Sequence, residues 1–172
     1  NYPASITKIM TTMLALEYSE LDEVVTFSAD AVFKNEGNTS HIARDLGEQM
    51  TMEQCLYAVM LESANECAYA VAEHIGQKLG GDYQTFIDLM NERAKELGMT
   101  NTTFVNCTGL DSEGHLTSAH DVGIMSCELI KHDLIKKYST VWMESLRDGS
   151  SELVNTNKLV RFYEGTTGLK TG

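Results

Sequence analysis

A serine and a lysine that could act in catalysis stand within a helical pattern of apolar residues in Tyr2-Pro-Ala-Ser-Ile-Thr-Lys-Ile-Met-Thr-Thr-Met-Leu-Ala-Leu16. Its apolar residues recur three and four positions apart, which predicts a helix with one broad buried face. Ser5 opens this helix and Lys8 follows one turn later, so the lysine amine can reach the serine hydroxyl. A serine hydroxyl becomes a good nucleophile only when a base removes its proton, and a neutral lysine can be that base. The same pattern also fits a helix-terminal serine and a solvated lysine, so it needs support from elsewhere in the chain.

A second polar pattern, Ser63-Ala-Asn65, interrupts the sequence between two apolar helical segments. Buried polar side chains at such a break need hydrogen-bonding partners, and a catalytic cleft would supply them. In the alternative interpretation, Asn65 simply caps the helix that follows.

The third pattern is Lys170-Thr-Gly172. A lysine charge and a threonine hydroxyl suit a carboxylate ligand, and the glycine lets a substrate backbone lie close to the chain. A polar strand end is the alternative. Each of the three patterns occurs once, in the order SxxK, SxN, KTG, and chance would give this in roughly one chain in several hundred. The triple is typical of penicillin-binding proteins and class A β-lactamases.

Composition narrows the possible functions. The 172 residues carry 13 Lys and Arg against 25 Asp and Glu, a net charge of −12. This acidic balance argues against nucleic acid or anionic lipid as a partner. The sequence holds no apolar run of about 18 residues, the length that would span a membrane. The four scattered cysteines are expected to be small buried residues on helices, with a structural disulfide as the alternative and no metal site predicted.

Local patterns predict further elements. Thr51 and Gln54 form a capping box, Asp82 caps a helix that stops at Gly98, and Ser118 resembles a cap. Helices are predicted over residues 51–61, 66–79, 82–98, 118–131 and 133–138, strands over 24–27, 102–105 and 167–172, and a polar loop over 34–40.

The sequence resembles the low-molecular-weight penicillin-binding proteins that are serine-type D-alanyl-D-alanine carboxypeptidases, the peptidase S11-like enzymes. The likeness lies in Tyr2-Pro-Ala-Ser-Ile-Thr-Lys-Ile-Met-Thr11, Met60-Leu-Glu-Ser-Ala-Asn-Glu-Cys-Ala68, Thr103-Phe-Val-Asn106, Thr108-Gly-Leu110 and Gly168-Leu-Lys-Thr-Gly172. It implies an α+β fold of the penicillin-binding protein and β-lactamase-like class. We expect mainly the helical part of that fold, with an incomplete antiparallel sheet truncated at both ends, so that residues 1–172 form part of one catalytic domain.

The resemblance also implies roles for seven residues. Ser5 would be the acylated nucleophile, Lys8 its general base, and Ser63 a proton relay to the leaving D-alanine. The substrate-binding residues would be Asn65, for the peptide backbone, and Lys170, Thr171 and Gly172, for the terminal carboxylate and the chain beside it. Water would then release the shortened stem peptide.

The implied partners are the peptidoglycan stem peptide and β-lactams, which should acylate Ser5, and no metal or organic cofactor is needed. The implied location is extracytoplasmic, in the cell envelope, with membrane contact only through a segment absent from this chain. Because the second oxyanion-hole amide of the family lies just past its KTG motif, we expect the 172-residue chain alone to be weakly active or inactive.

Three alternatives remain open at this stage. A class A β-lactamase shares the three motifs but needs an ExxLN-like segment, which does not occur between Ser63 and Lys170. A penicillin-sensing receptor would be acylated without turnover, and a purely structural domain would not be acylated at all.

His115 and His120 are interpreted as solvated or structural rather than as acid–base residues. Cys67 and Cys107 stand where the family more often has alanine and proline.

Overall fold

Helix α4 (Asn65–Lys78) is buried along most of its length and lies at the centre of the packing. It packs against α1 (Lys8–Tyr18), α3 (Met52–Leu61) and α5 (Tyr83–Glu96) in the computed structural model, which describes residues 1–35 and 39–172. The core is built largely from the apolar faces of these four helices, and the stretch that carries Ser5 and Lys8 enters it at one end of α1.

The remaining elements surround this helical cluster. They are α2 (Ala29–Phe33), α6 (Ala119–Leu129), α7 (Ile135–Ser139), α8 (Leu159–Phe162), β1 (Val24–Thr26), β2 (Gln49–Thr51), β3 (Met143–Leu146) and β4 (Ser151–Val154). Two small antiparallel pairs form, β1 with β2 and β3 with β4. The expected mainly helical α+β architecture with little sheet is confirmed.

Helix ends follow the sequence closely where a cap is encoded locally. The Thr51 hydroxyl accepts from the Gln54 amide, and the Gln54 side chain accepts from the Thr51 amide, so the predicted capping box is confirmed. The Asp82 carboxylate likewise caps α5, and the Ser118 hydroxyl caps α6. These caps satisfy amide groups that have no partner inside a helix.

Several expectations need correction. The first helix begins with a 3₁₀ turn, Ala4–Thr7, and becomes α-helical only at Lys8. The strand predicted over 102–105 is reduced to one bridge between Thr103 and Leu116. Residues 167–172 form no strand, since no strand among the described residues pairs with them. The carbonyls of Thr167 and Gly168 accept from the side chains of Ser139 and Asn157 instead.

Other features were not predicted at all, namely α2, α8, β2 and the β3–β4 hairpin. The predicted loop over 34–40 includes residues 36–38, which lie outside the described residues. Of the four cysteines, Cys55 and Cys67 are buried on helices as expected, Cys107 is buried but lies in a loop, and Cys127 is exposed on α6. Among the described residues, no helix is both long enough and apolar enough to cross a membrane.

Candidate active site

The tight turn at the start of the chain places Ser5 directly beside Lys8. A 3₁₀ helix has three residues per turn, so side chains at positions i and i+3 lie above one another. Ser5 and Lys8 have this spacing across the turn Ala4–Thr7, and the Lys8 Nζ lies 3.2 Å from the Ser5 Oγ. The predicted pairing of hydroxyl and amine is therefore present.

Lys8 is completely buried, and its amine is surrounded by acceptors. The Lys8 Nζ donates to the Asn65 Oδ1 over 2.7 Å and to the Thr108 carbonyl over 2.5 Å. Burial, assisted by the positive charge of Lys170, lowers the pKa of Lys8 from 10.5 to about 7. A substantial fraction of Lys8 is thus neutral near pH 7, as a general base must be.

The neutral form of this amine has two N–H groups and one lone pair. A backbone carbonyl and an amide oxygen can only accept, so the two N–H groups are taken up by Thr108 and Asn65. The lone pair is then directed at the third neighbour, the Ser5 hydroxyl. This arrangement can remove the Ser5 proton without any rearrangement of Lys8.

Ser63 approaches the nucleophile from the break between α3 and α4. Its Oγ donates to the Ser5 Oγ over 2.8 Å. The backbone of Ser63 has φ of +60°, in the left-handed region that costs a residue with a side chain about 1–2 kcal/mol. Such strain is concentrated at functional sites, where the surrounding structure holds it in place.

Asn65 does not cap α4. It is the first residue of that helix, Ala64 occupies the cap position without a side-chain bond, and the Asn65 side chain turns to Lys8 instead. The alternative interpretation of Asn65 as a helix cap is therefore wrong. Ser5, Lys8, Ser63 and Asn65 form one hydrogen-bonded network.

The KTG residues pack beside this network. Lys170 is 8% exposed, and burial lowers its pKa to about 8. The Thr171 hydroxyl bonds to the Thr156 hydroxyl over 2.7 Å, and a Cβ at Gly172 would lie 2.8 Å from the Ile6 side chain. Within the described residues, neither Lys170 nor Thr171 forms a hydrogen bond to the four-residue network. The KTG residues therefore place a positive charge beside the network without extending it.

An open cavity of about 380 Å³ leads to Ser5. Its lining residues are Ala4, Ser5, Thr39, Ser40, Asn65, Thr108, Gly109, Leu110 and Asp111. Ser5 thus faces a cleft that a peptide can enter. In the part of the chain that the structure describes, no three His, Cys, Asp or Glu side chains are grouped so as to hold a metal ion.

Sequence reasoning missed the loop after α5 as part of the site. Thr108 supplies the carbonyl to Lys8, and Gly109 lies so close to the nucleophile turn that a Cβ there would be 1.8 Å from the Ala4 carbonyl oxygen. Both residues stand in the Thr108-Gly-Leu110 stretch that carries the family likeness, but no local pattern indicates their contacts.

His115 is structural, which agrees with its interpretation from the sequence as a solvated or structural residue. It is fully buried, its Nδ1 accepts from the Val105 amide over 3.0 Å, and its Nε2 lies 2.8 Å from the Thr7 Oγ1. Since the amide can only donate, the neutral ring carries its proton on Nε2 and donates to Thr7. Burial lowers the pKa of His115, which favours this neutral form. His120, by contrast, is largely exposed.

The sequence of the chain is similar to those of known D-alanyl-D-alanine carboxypeptidases. A family profile described as D-alanyl-D-alanine carboxypeptidase, peptidase S11, matches residues 1–172. The chain is 41% identical to D-alanyl-D-alanine carboxypeptidase DacF of Bacillus subtilis and 32% identical to DacC of Escherichia coli, over 99% of its own length and 44% of each relative. It thus spans less than half the length of these curated relatives.

Solved structures show the same likeness. The crystal structure of the Streptomyces K15 DD-transpeptidase superposes with a TM-score of 0.85 at 29% identity, over 98% of this chain and 70% of that one. Penicillin-binding protein 6B of Escherichia coli superposes with a TM-score of 0.86 at 26% identity, over 100% of this chain and 55% of that one.

Proposed function

The chain belongs to the D-alanyl-D-alanine carboxypeptidase family, peptidase S11, and we propose that it carries the site of a serine hydrolase that removes the terminal D-alanine from peptidoglycan stem peptides. The observation that supports this most strongly is the position of the Ser5 Oγ between the Lys8 Nζ at 3.2 Å and the Ser63 Oγ at 2.8 Å. Residues 1–172 would form part of the catalytic domain.

In the proposed acylation step, the Lys8 amine takes the proton of the Ser5 hydroxyl as the Ser5 oxygen attacks the carbonyl carbon of the penultimate D-alanine. The carbon–nitrogen bond to the terminal D-alanine then breaks, and the leaving amine receives a proton through the Ser63 hydroxyl. The products are free D-alanine and an ester on Ser5. The supporting features are the depressed pKa of Lys8 and the orientation of its lone pair.

Deacylation returns the enzyme to its starting state. A water molecule adds to the ester carbonyl, gives up its proton to the base, and releases the shortened peptide as Ser5 regains its hydrogen. β-Lactams would acylate Ser5 in the same way, with the carbon–nitrogen bond of the lactam ring as the bond that breaks, and the resulting ester would hydrolyse slowly.

Lys170, Thr171 and Gly172 are proposed to receive the terminal carboxylate of the substrate, and Asn65 its backbone. A lysine charge at the edge of the Ser5 network would hold a carboxylate one residue beyond the bond to be cut. The stem peptide is exposed outside the cytoplasmic membrane, so we place the activity in the extracytoplasmic cell envelope.

Release of D-alanine tests this function. The enzyme used is a protein in which residues 1–172 continue past Gly172, as they do in the longer relatives. A peptide ending in D-Ala-D-Ala should lose one D-alanine, the same peptide ending in D-Ala-L-Ala should not, and Ser5→Ala should abolish the reaction. Ser19→Ala is the matched control, because Ser19 follows the same helix and bonds only to the Ala15 carbonyl. Release that survives in Ser5→Ala, or rapid turnover of β-lactams without peptide cleavage, would overturn the proposal.

A further inference from the structure

We propose that Asn106 is a positioning residue for the general base: it holds the peptide plane whose carbonyl directs the Lys8 amine at Ser5. The inference rests on the proposed function and extends it to a residue in the loop after α5, which does not itself touch Ser5 or Lys8.

One side chain organises this loop. The Asn106 Oδ1 accepts from the Thr108 amide over 3.2 Å, from the Thr108 hydroxyl over 3.3 Å and from the Gly109 amide over 2.7 Å. Its Nδ2 donates to the Leu110 carbonyl over 2.8 Å and lies 3.4 Å from the Ser112 Oγ. The segment is neither helix nor strand, so these bonds stand in for a regular backbone ladder.

The hydrogen bond between Asn106 and the Gly109 amide fixes the orientation of the peptide group that contacts Lys8. The Thr108 carbonyl and the Gly109 N–H belong to the same peptide group, which is planar and points the two in opposite directions. Asn106 holds the N–H end, and the carbonyl end contacts the Lys8 Nζ at 2.5 Å. Rotation of this plane would break both bonds together, so Asn106 sets the direction of the carbonyl.

The direction of the carbonyl matters because the lone pair of Lys8 depends on it. With Asn65 as the only remaining acceptor, the neutral amine could rotate about its Cε–Nζ bond and present an N–H to Ser5. A hydrogen facing Ser5 cannot take the hydroxyl proton. Fixing two acceptors removes this alternative before substrate binds.

Asn91 provides a matched control. It also uses its amide to hold loop backbone, accepting from the Phe104 amide at 2.8 Å and donating to the Phe104 carbonyl at 2.8 Å. Asn91 therefore shares the structural role of Asn106, but it contacts neither Thr108 nor Gly109.

The test compares Asn106→Ala, Asn106→Asp and Asn91→Ala in β-lactam acylation rate across pH, with thermal unfolding of each variant. Asn106→Ala should lower the plateau acylation rate by roughly tenfold to a hundredfold. Asn106→Asp keeps the acceptor for the Gly109 N–H, so it should hold the plateau within about threefold. Its added negative charge should raise the pKa of Lys8 and move the acid limb of the profile to higher pH. Asn91→Ala should destabilise the fold without altering the plateau acylation rate or the position of the acid limb.

A titration of Lys8 followed by NMR of labelled lysine side chains separates the possible failures. If a wild-type chain that continues past Gly172 is not acylated, the proposed function is wrong, while a higher Lys8 titration midpoint in Asn106→Asp would still support the coupling of Asn106 to Lys8. If the wild type is acylated and Asn106→Ala matches Asn91→Ala in plateau rate, the positioning role is wrong. An unshifted acid limb in Asn106→Asp would also contradict it.

Discussion

Replacing Gly109 with alanine is expected to disable acylation while leaving a folded protein. Gly109 has φ of +90°, and a Cβ there would lie 1.8 Å from the Ala4 carbonyl oxygen and 2.9 Å from the Ser5 amide nitrogen. Both contacts are backbone atoms of the nucleophile turn, so no side-chain rotation can relieve them.

The required movement sets the size of the effect. Real Cβ atoms essentially never approach a neighbour closer than 3.0 Å, so the loop and the Ala4 carbonyl must separate by more than 1 Å. A misplacement of about 1 Å can cost a catalytic site about a hundredfold in rate. The positive φ adds about 1–2 kcal/mol of conformational strain.

Gly98→Ala separates the two contributions. Gly98 has φ of +75° with no atom within 4 Å of the position of a Cβ, so its alanine variant suffers the strain without the collision. Both variants should be destabilised in thermal unfolding, but only Gly109→Ala should lose about two orders of magnitude in the second-order rate constant of β-lactam acylation. The reasoning is refuted if Gly109→Ala acylates within about threefold of Gly98→Ala.

Three further predictions follow from the electrostatics and the caps. Because Lys8 acts as a base when neutral and has a pKa of about 7, the acylation rate should rise with pH through about 7 and level off above it. Turnover of a carboxylate substrate should fall above about 8, as Lys170 loses its charge, and a flat profile from pH 5 to 9 would contradict both assignments. In Lys170→Met, loss of the positive charge should raise the pKa of Lys8 and move the acid limb of acylation to higher pH, and an unchanged limb would show that Lys170 does not influence Lys8. Thr51→Ala should lower the free energy of unfolding by about 1 kcal/mol, measured by denaturant titration, with unchanged acylation; a rate loss would place the cap within reach of the site.

Local signals in the sequence were sufficient for the helix caps. The Thr51 and Gln54 pair and Asp82 act within three residues of themselves, so their side chains determine where α3 and α5 begin whatever the rest of the chain does. The hairpin was not predicted, although Asp148 and Gly149 form a dipeptide that is common in hairpin turns. Arg147, which also has positive φ, gives no local signal of the turn.

In the candidate site, too, contacts between residues close in sequence could be predicted, and contacts between distant residues could not. Ser5 and Lys8 are neighbours in sequence, and their spacing alone predicted their contact. Thr108 lies 100 residues from Lys8, so its carbonyl could be found only in three dimensions. The role of Asn65 needed the structure too, since the same residue fits a helix cap equally well on paper.

Intact-mass analysis after incubation with a β-lactam tests the central claim most directly, namely that Ser5 is a nucleophile activated by Lys8. We expect a single covalent adduct on a wild-type chain that continues past Gly172, an adduct that is absent from Ser5→Ala and forms far more slowly in Lys8→Met. An adduct that persists in Ser5→Ala, or that forms equally fast without the Lys8 amine, would contradict it.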